Sequence, residues 1–312
     1  MKSYLVTGGC GFIGVNLIPR LVEQGARVRV LDDLSLGKRE DVEPFGVELQ
    51  VGDIRDRSTV AKACDGMDAV VHLAAHTRVV ESLSEPQLNF DVNAIGTLNI
   101  LEACRVAGVP KMIFASTGGA ILGEQTPPVH EGMVPRPISP YGASKLAGEA
   151  YCSAYAGAYG LKTVALRFSN VYGPFSYHKG SVVAQFFRNL LRSEPIVIYG
   201  DGEQTRDFLY VADLVDAILA ADRSDLAGEV FQIASGRETS VKNLVDAMKA
   251  MLPERRFNVR FEPPRQGEIL RNYARIEKAR RMMGFDPRTR LDDGLKKTWQ
   301  WFTTHDRAAT SK

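Results

Sequence analysis

The sequence predicts an α/β fold, a doubly wound parallel sheet with a smaller C-terminal α/β lobe, and three observations carry that prediction. Short β-branched runs alternate with longer amphipathic stretches, the pattern of strand–helix–strand crossovers. Runs such as Val70-Val71-His72-Leu73 and Met112-Ile113-Phe114 are near-continuously apolar, as strands buried on both faces must be. The first run ends in closely spaced glycines and then a helical stretch.

Taken in chain order, strands are expected over residues 4–7, 27–31, 47–51, 69–73, 111–115, 163–167 and 230–233. Helices are expected between them over 14–24, 87–107 and 140–159. At 312 residues the chain exceeds one domain of ordinary size. We expect a main domain over 1–170, with a segment near 205–235 returning to it, and a substrate-binding lobe built mainly from 171–312. Past residue 170 the pattern loosens, punctuated by Gly173-Pro174, Gly200-Asp201-Gly202, Pro253 and Pro263-Pro264.

Composition narrows the function classes. The chain is 45% hydrophobic and 24% charged, so it lacks both the charge excess of a disordered chain and the apolar excess of a membrane protein. Lys and Arg total 39 against 37 Asp and Glu, a formal charge of +2. No global field therefore argues for nucleic acid or a membrane surface, and any bound anion needs a local site. Met1-Lys2 leads straight into Tyr4-Leu5-Val6 without the pattern of a secretory peptide, and no stretch approaches ~18 apolar residues. Cys10, Cys64, Cys104 and Cys152 are widely separated, as buried thiols of a reducing cytosol would be. His72, His76, His130, His178 and His305 have no metal-ligand spacing, so a cytoplasmic protein without a metal site is expected.

The first strand runs into Thr7-Gly8-Gly9-Cys10-Gly11-Phe12-Ile13-Gly14, placing Gly8, Gly11 and Gly14 at a strand-to-helix turn. Such glycines allow the backbone to approach a pyrophosphate, whose charge the helix N-terminus stabilises. Taken alone, the turn is also what any loop needing positive φ would use. The second strand resolves this, because it ends in Asp32-Asp33, about 20 residues further on, where a carboxylate accepts from a ribose diol. The site thus reads as Rossmann-type, and Asp32 would repel a 2′-phosphate, favouring NAD over NADP. Asp53 after the third strand could meet the adenine amine, and Ala74-Ala75 after the fourth leave room for the cofactor; each could equally be a turn residue.

Ser116 and Thr117 follow the strand at 111–115, and Tyr141-Gly142-Ala143-Ser144-Lys145 comes later. Tyr141 and Lys145 share one helix face. A free phenol ionises near pH ~10, but a nearby ammonium and a positive nicotinamide favour the phenolate. Lys145 is then the activator and Tyr141 the acid/base, with Thr117 or Ser116 bonding the reacting oxygen. A Tyr and a Lys at this spacing also occur on ordinary surface helices, and only the ordered combination with the glycine turn argues for chemistry.

These motifs resemble the extended short-chain dehydrogenase/reductases: the glycine turn, Asp32-Asp33, Gly52-Asp53-Ile54, His72-Leu73-Ala74-Ala75, Asn93-x-x-Gly96-Thr97, Ser116-Thr117 and Tyr141-x-x-x-Lys145. The likeness continues through Arg167-Phe168-Ser169-Asn170-Val171-Tyr172-Gly173-Pro174 and the run from Gly200 to Phe208. Within that group it is nearest to the NAD-dependent epimerase/dehydratase family, in particular sugar-nucleotide epimerases similar to UDP-glucose 4-epimerase. The resemblance implies cofactor contacts from Gly8, Gly11, Phe12, Ile13, Gly14, Asp32, Asp33, Gly37, Asp53, Ile54, Leu73, Ala74, Ala75 and Asn93, besides Tyr141 and Lys145. It implies that Asn170, Arg206 and Arg265, with Glu268 in the same segment, meet the substrate and that Tyr199 stacks near its nucleobase. The implied reaction is redox-neutral 4-epimerisation of a UDP-sugar through a 4-keto intermediate, with NAD regenerated each turnover. The family's habit of pairing through a four-helix bundle favours a homodimer over a monomer.

Departures from the family pattern refine the reading. Thr117 is followed by Gly118-Gly119-Ala120, which lack the Asp-Glu pair of a 4,6-dehydratase and the glutamate of a UDP-glucuronate decarboxylase. Leu122 stands where many relatives carry Tyr, and Asn272 where some epimerases carry a bulky residue that excludes N-acetylated sugars. UDP-N-acetylhexosamines therefore stand beside UDP-glucose and UDP-galactose as substrates. Arg271 could instead serve a uronic acid carboxylate, which keeps UDP-glucuronate 4-epimerase open. A net oxidoreductase and a catalytically silent NAD-binding sensor are further alternatives; the activated phenol argues against the second.

Overall fold

The structure, a computed structural model, describes residues 1–264 and 269–309, with side chains through residue 305. The N-terminal part contains strands β1 (Ser3–Thr7), β2 (Arg27–Asp32), β3 (Glu48–Val51), β4 (Ala69–His72), β5 (Lys111–Thr117) and β6 (Lys162–Phe168). Between them run helices α1 (Phe12–Glu23), α2 (Arg57–Cys64), α3 (Val79–Ser84), α4 (Pro86–Phe90), α5 (Gly96–Ala107), α6 (Gly118–Leu122) and α7 (Pro140–Tyr159). Strands β7 (Asn170–Tyr172), β8 (Ile196–Tyr199), β9 (Thr205–Arg206), β10 (Phe208–Tyr210), β11 (Glu229–Ile233), β12 (Thr239–Ser240) and β13 (Val259–Glu262) follow. They alternate with α8 (Val182–Leu191), α9 (Val211–Arg223), α10 (Val241–Met251), α11 (Glu277–Met283) and α12 (Leu291–Ala309).

One parallel sheet has the order β11-β6-β5-β4-β1-β2-β3, so the chain leaves it after β6 and returns for β11. The strand order reverses between β1 and β4, where an open α/β sheet leaves a crevice at the carboxyl ends of its strands. Alternation along each strand feeds two cores. Val6, Val71, Ile113 and Val164 pack with residues of α1 and α9 on one face. Leu5, Val70, Met112, Phe114 and Ala165 pack with α2, α5 and α7 on the other. This double burial explains the near-continuous apolar runs of β4 and β5.

The smaller lobe has its own core, in which Phe186, Phe187 and Leu190 of α8 meet Leu244 and Met248 of α10 and Trp299 and Phe302 of α12. Short pairs complete it: β7 with β10 and β8 with β13 are parallel, and β9 with β12 is antiparallel. No helix among the described residues is long and apolar enough to cross a membrane.

The single helix expected over 87–107 is broken by a π-helical turn, Asp91–Ile95, between α4 and α5. The wider turn brings buried Asn93 to the loop after β4, where it accepts the His76 N–H at 2.8 Å and donates to the His76 carbonyl at 3.0 Å. Periodicity alone gives no sign of this, because the polar partners lie outside the helix.

Candidate active site

The crevice begins at the turn between β1 and α1. Gly8 adopts φ +67°, and a Cβ there would lie 2.7 Å from the Ala74 nitrogen, so only glycine lets the loop after β4 close over the turn. A Cβ on Gly14 would lie 2.3 Å from the Gly9 carbonyl, which keeps α1 tight against the turn. Gly11 is the N-cap of α1 and offers no side-chain cap, while Phe12 and Ile13 open the first turn without an acidic residue. The first amides of α1 are thus left for an anion, in the cradle that the glycines keep open.

Asp32 closes β2 beside this cradle. One carboxylate oxygen accepts the Cys10 N–H and the other the Leu34 N–H, each at 2.9 Å. Burial pushes its pKa up and the two N–H groups oppose that, which leaves a fixed carboxylate whose remaining lone pairs can take hydroxyl donors. Asp33 instead holds the backbone N–H and hydroxyl of Ser35. Gly37 rests on the turn so closely that a Cβ would lie 2.4 Å from the Cys10 carbonyl.

Other expected cofactor residues are engaged within the protein. Arg55 chelates Asp53 at 2.9 Å and 2.5 Å and holds that carboxyl below the usual range. Ile54 is buried where Gly96 makes room for it. The loop Leu73-Ala74-Ala75 is pinned by the Leu73 N–H on the Thr7 carbonyl and the Ala74 N–H on the Thr7 hydroxyl. Asn93, besides holding His76, donates to Asn89 and Ser144, so its side chain fixes the walls of the crevice. The glycine cradle and Asp32 fit a dinucleotide; Asp53 and Asn93 shape the loops around it.

The reacting groups come from the ends of β5 and α7. Ser139 caps α7 by accepting the Gly142 N–H at 3.2 Å, and the Tyr141 N–H donates to Ser82 at 3.2 Å, so the Tyr141 backbone is fixed on two sides. The helix lies so close to α6 and β5 that a Cβ on Gly142 would be 2.1 Å from the Ala120 carbonyl, and one on Gly148 2.4 Å from the Phe114 ring. The side chain of Thr117 acts on the Tyr141 phenol. Burial pushes that phenol up to about 12, and Thr117 works against the rise. Lys145, on the same face of α7, donates to the Ala115 carbonyl at 2.9 Å and lies 4.9 Å from the centroid of Phe114. Burial lowers its ammonium to about 8, while Cys152 and Glu149 raise it.

The neighbouring hydroxyls divide. Thr117 serves Tyr141, whereas Ser116 donates to Glu149 at 2.6 Å. Glu149 also accepts two bonds from Arg167, at 2.9 Å and 2.7 Å, and both charged side chains are 5% exposed. Sequence reasoning missed Glu149 and the ion pair it makes. Its signal was the row Tyr141, Lys145, Glu149 at steps of four along one helix face.

On the lobe side, Asn170 opens β7 with an exposed side chain, and its N–H donates to the Asp207 carbonyl. Tyr199 ends β8, where its carbonyl accepts from Gln204. Arg206 on β9 donates to the carbonyls of Thr205 and Ile269, both at 2.8 Å. Arg265 and Glu268 lie outside the described residues. Asn272 reaches the catalytic end of β5, because a Cβ on Gly119 would lie 2.4 Å from its amide nitrogen. Arg271 is held by Glu238 in a two-point ion pair at 2.7 Å and 2.9 Å. Leu122 is fully buried in the core. Among the described residues no group of three or more His, Cys, Asp or Glu could hold a metal ion.

Comparison with known proteins agrees with this geometry. A family model described as the NAD dependent epimerase/dehydratase family matches residues 4–234. A putative UDP-glucose 4-epimerase of Methanocaldococcus jannaschii is 38% identical over 307 residues, covering 97% of this chain and 99% of its own. Among solved structures, a UDP-glucose 4-epimerase of Thermotoga maritima with UDP-glucose is 39% identical, with a TM-score of 0.93 over 97% of this chain and 99% of that one. A UDP-N-acetylglucosamine 4-epimerase of Methanobrevibacter ruminantium, in complex with UDP-N-acetylmuramic acid, is 32% identical with a TM-score of 0.92, at 97% and 99% coverage.

Proposed function

The chain belongs to the NAD dependent epimerase/dehydratase family and its cofactor is NAD, and from that premise we propose that it inverts C4 of a UDP-sugar through a transient 4-keto intermediate. UDP-glucose and UDP-galactose, or their N-acetylhexosamine equivalents, are the proposed substrates. The observation that carries this reading is the pairing of Tyr141 with Thr117 at a site whose next residues, Gly118-Gly119-Ala120, bring no second acid or base. Epimerisation needs one group that takes a hydroxyl proton and returns it; elimination of water or loss of carboxylate needs more.

Held by the glycine cradle beside Asp32, NAD would supply a hydride acceptor for C4 and, once the ketone has turned over, a hydride donor to its other face. Tyr141 takes the C4 hydroxyl proton as the ketone forms and restores it afterwards. Thr117 holds the oxygen between them and favours the phenolate over the phenol. Lys145, buried with its ammonium on the Ala115 carbonyl, supplies fixed positive charge on the same helix face. The compact amide of Asn272 beside Gly119 supports acceptance of an acetamido group. A uronic acid reading finds less support, because the Arg271 guanidinium is already paired with Glu238.

A homodimer belongs to the same proposal. The alanines at 143, 150, 154 and 158 lie exposed on α7, and the neighbouring helices expose Leu83, Phe90 and Val106. Small residues on one helix beside apolar ones on the next favour helix-to-helix approach across a two-fold axis. Sedimentation at twice the 34.3 kDa subunit mass is expected, and a monomer at micromolar concentration rejects the pairing.

The deciding experiment incubates purified protein with UDP-hexoses, UDP-N-acetylhexosamines and UDP-glucuronate without added NAD and follows C4 epimers by NMR. Formation of an epimer that disappears in Tyr141→Phe supports the proposal and names the sugar. No conversion of any substrate, even with NAD supplied, sinks it in favour of a net oxidoreductase or a silent NAD binder.

A further inference from the structure

Beneath the reacting groups lies a buried cluster of charge that a one-base epimerisation does not require. Glu149 follows Lys145 by one helical turn, and the carboxylate receives the Ser116 hydroxyl from β5 and two N–H bonds of Arg167 from β6. Ser116 and Arg167 are cross-strand partners, so a single row across the sheet grips the helix face that carries Lys145 and Tyr141. Ser116, Lys145, Glu149 and Arg167 are each 5% exposed or less. A tie between helix and sheet could be made by apolar contact at lower desolvation cost, so the charge itself calls for an explanation.

Resting on the epimerase reading, we propose that Glu149 is a positioning residue, anchored by Arg167 and Ser116, that keeps Lys145 in its ammonium form at working pH, and that Ser116 serves this carboxylate and not the substrate. Lys145 has Tyr141, Glu149 and Cys152 on its own helix and His72 from β4 facing it, with Ser116 of β5 and Arg167 of β6 beyond, on the Glu149 carboxylate. His72 is buried and neutral, and the Cys152 thiol is pushed up by burial, so neither brings charge near neutrality. What remains is two cations against one carboxylate. With Glu149 in place the cluster carries one net positive charge, which favours ionisation of Tyr141. Without it, two uncompensated cations share a dry site, and Lys145, the only one able to lose a proton there, gives it up. The bond from Lys145 to the Ala115 carbonyl aims the ammonium, but a neutral amine can make that bond as well; the carboxylate is what selects the charged form.

The test compares wild type, Glu149→Gln, Glu149→Asp and Ser116→Ala by two readouts. One is the pH profile of kcat for epimerisation; the other is the titration of the Lys145 side chain by 13C NMR in holoenzyme, assigned with Lys145→Arg. Glu149→Gln is expected to move the alkaline limb and the Lys145 titration to lower pH by about one unit, a tenfold change in the acid constant. Glu149→Asp keeps the charge and returns both to within a few tenths of a unit. Ser116→Ala leaves Glu149 held by Arg167, keeps both in place and lowers kcat less than about tenfold, which decides what Ser116 serves even if Glu149→Gln does not fold. A folded Glu149→Gln with an unmoved Lys145 titration, or a folded Ser116→Ala without activity, overturns the proposal. If wild type converts no sugar nucleotide, the epimerase reading fails separately, while the NMR titration still decides what Glu149 does.

Discussion

Thr117, the last residue of β5, sets its side chain against the phenol of Tyr141 in the first turn of α7, and this contact opposes the burial that pushes the phenol up to about 12. Removing the hydroxyl therefore leaves Tyr141 harder to ionise and takes a donor from the reacting oxygen. Thr117→Val should lower kcat by about 10²-fold to 10³-fold with little change in thermal stability, the scale of losing one preorganised hydrogen bond in a dry site. Thr117→Ser should keep most of the activity. Equal losses in both variants would show that the methyl group, through packing, is what matters.

The cradle of α1 makes a second, separable prediction. Gly14→Ala would place a methyl group 2.3 Å from the Gly9 carbonyl, a backbone contact that no side-chain rotation relieves. We expect protein that is destabilised by about 1–3 kcal/mol and purifies without bound NAD. Gly25→Ala is the control: that residue has φ +76° with nothing within 4 Å, so backbone strain costs about 1 kcal/mol and NAD content stays at the wild-type level. Absorbance of the protein-bound cofactor together with thermal melts separates the two. Normal NAD content in Gly14→Ala rules out the close turn as the dinucleotide site.

His72 on β4 is fully buried, in hydrogen-bond contact with Thr7 at 2.7 Å and Thr97 at 3.0 Å, and burial lowers its pKa to about 3. The unfolded chain would protonate it near pH ~6.5. Between those values the unfolded state binds the extra proton, so the stability that neutral His72 contributes is present above pH ~6.5 and is lost as pH falls, by about 1.4 kcal/mol per unit. His72→Gln loses hydrogen bonds at neutral pH but cannot gain this charge. Urea denaturation from pH 7 to pH 4 should show the stability gap between wild type and variant shrinking with acid. A gap that stays constant over that range would falsify the assignment.

What the sequence made legible follows from how local each cause is. The parallel sheet could be read because double burial writes itself into β4 and β5 as unbroken apolar runs, and the crevice because the positive φ of Gly8, the contact of Gly14 with Gly9 and the bond of Asp32 to Cys10 all fall within the short β1–α1–β2 stretch. The split between Ser116 and Thr117 could not be read, since it depends on which neighbour each hydroxyl meets, and Glu149 comes from a helix more than 30 residues away. The π turn that brings Asn93 to His76 was hidden for the same reason. The lobe's short pairs β7–β10, β8–β13 and β9–β12 span few residues each and are defined by partners distant in the chain, so no periodicity announces them.

Asn272 joins the lobe to the catalytic strand. Its N–H donates to the Thr205 carbonyl at 3.2 Å, which fixes the backbone, and its amide nitrogen fills the space a side chain at Gly119 would need. On the proposed function, the wall of the sugar site is thus set jointly by a residue without a side chain and one with a short side chain. A larger residue at 272 cannot retreat toward β5, because the glycine's neighbours Gly118 and Thr117 are already packed against Gln232 and Tyr141. On the same reading it enters the sugar site instead. On the proposed function, Asn272→Tyr should lower kcat/KM for a UDP-N-acetylhexosamine by about 10²-fold, a loss of about 3 kcal/mol of transition-state binding, and leave UDP-glucose within about threefold. Parallel assays on the two sugars give the ratio directly. An equal fall on both would mean that position 272 shapes the site as a whole and does not sense the acetamido group.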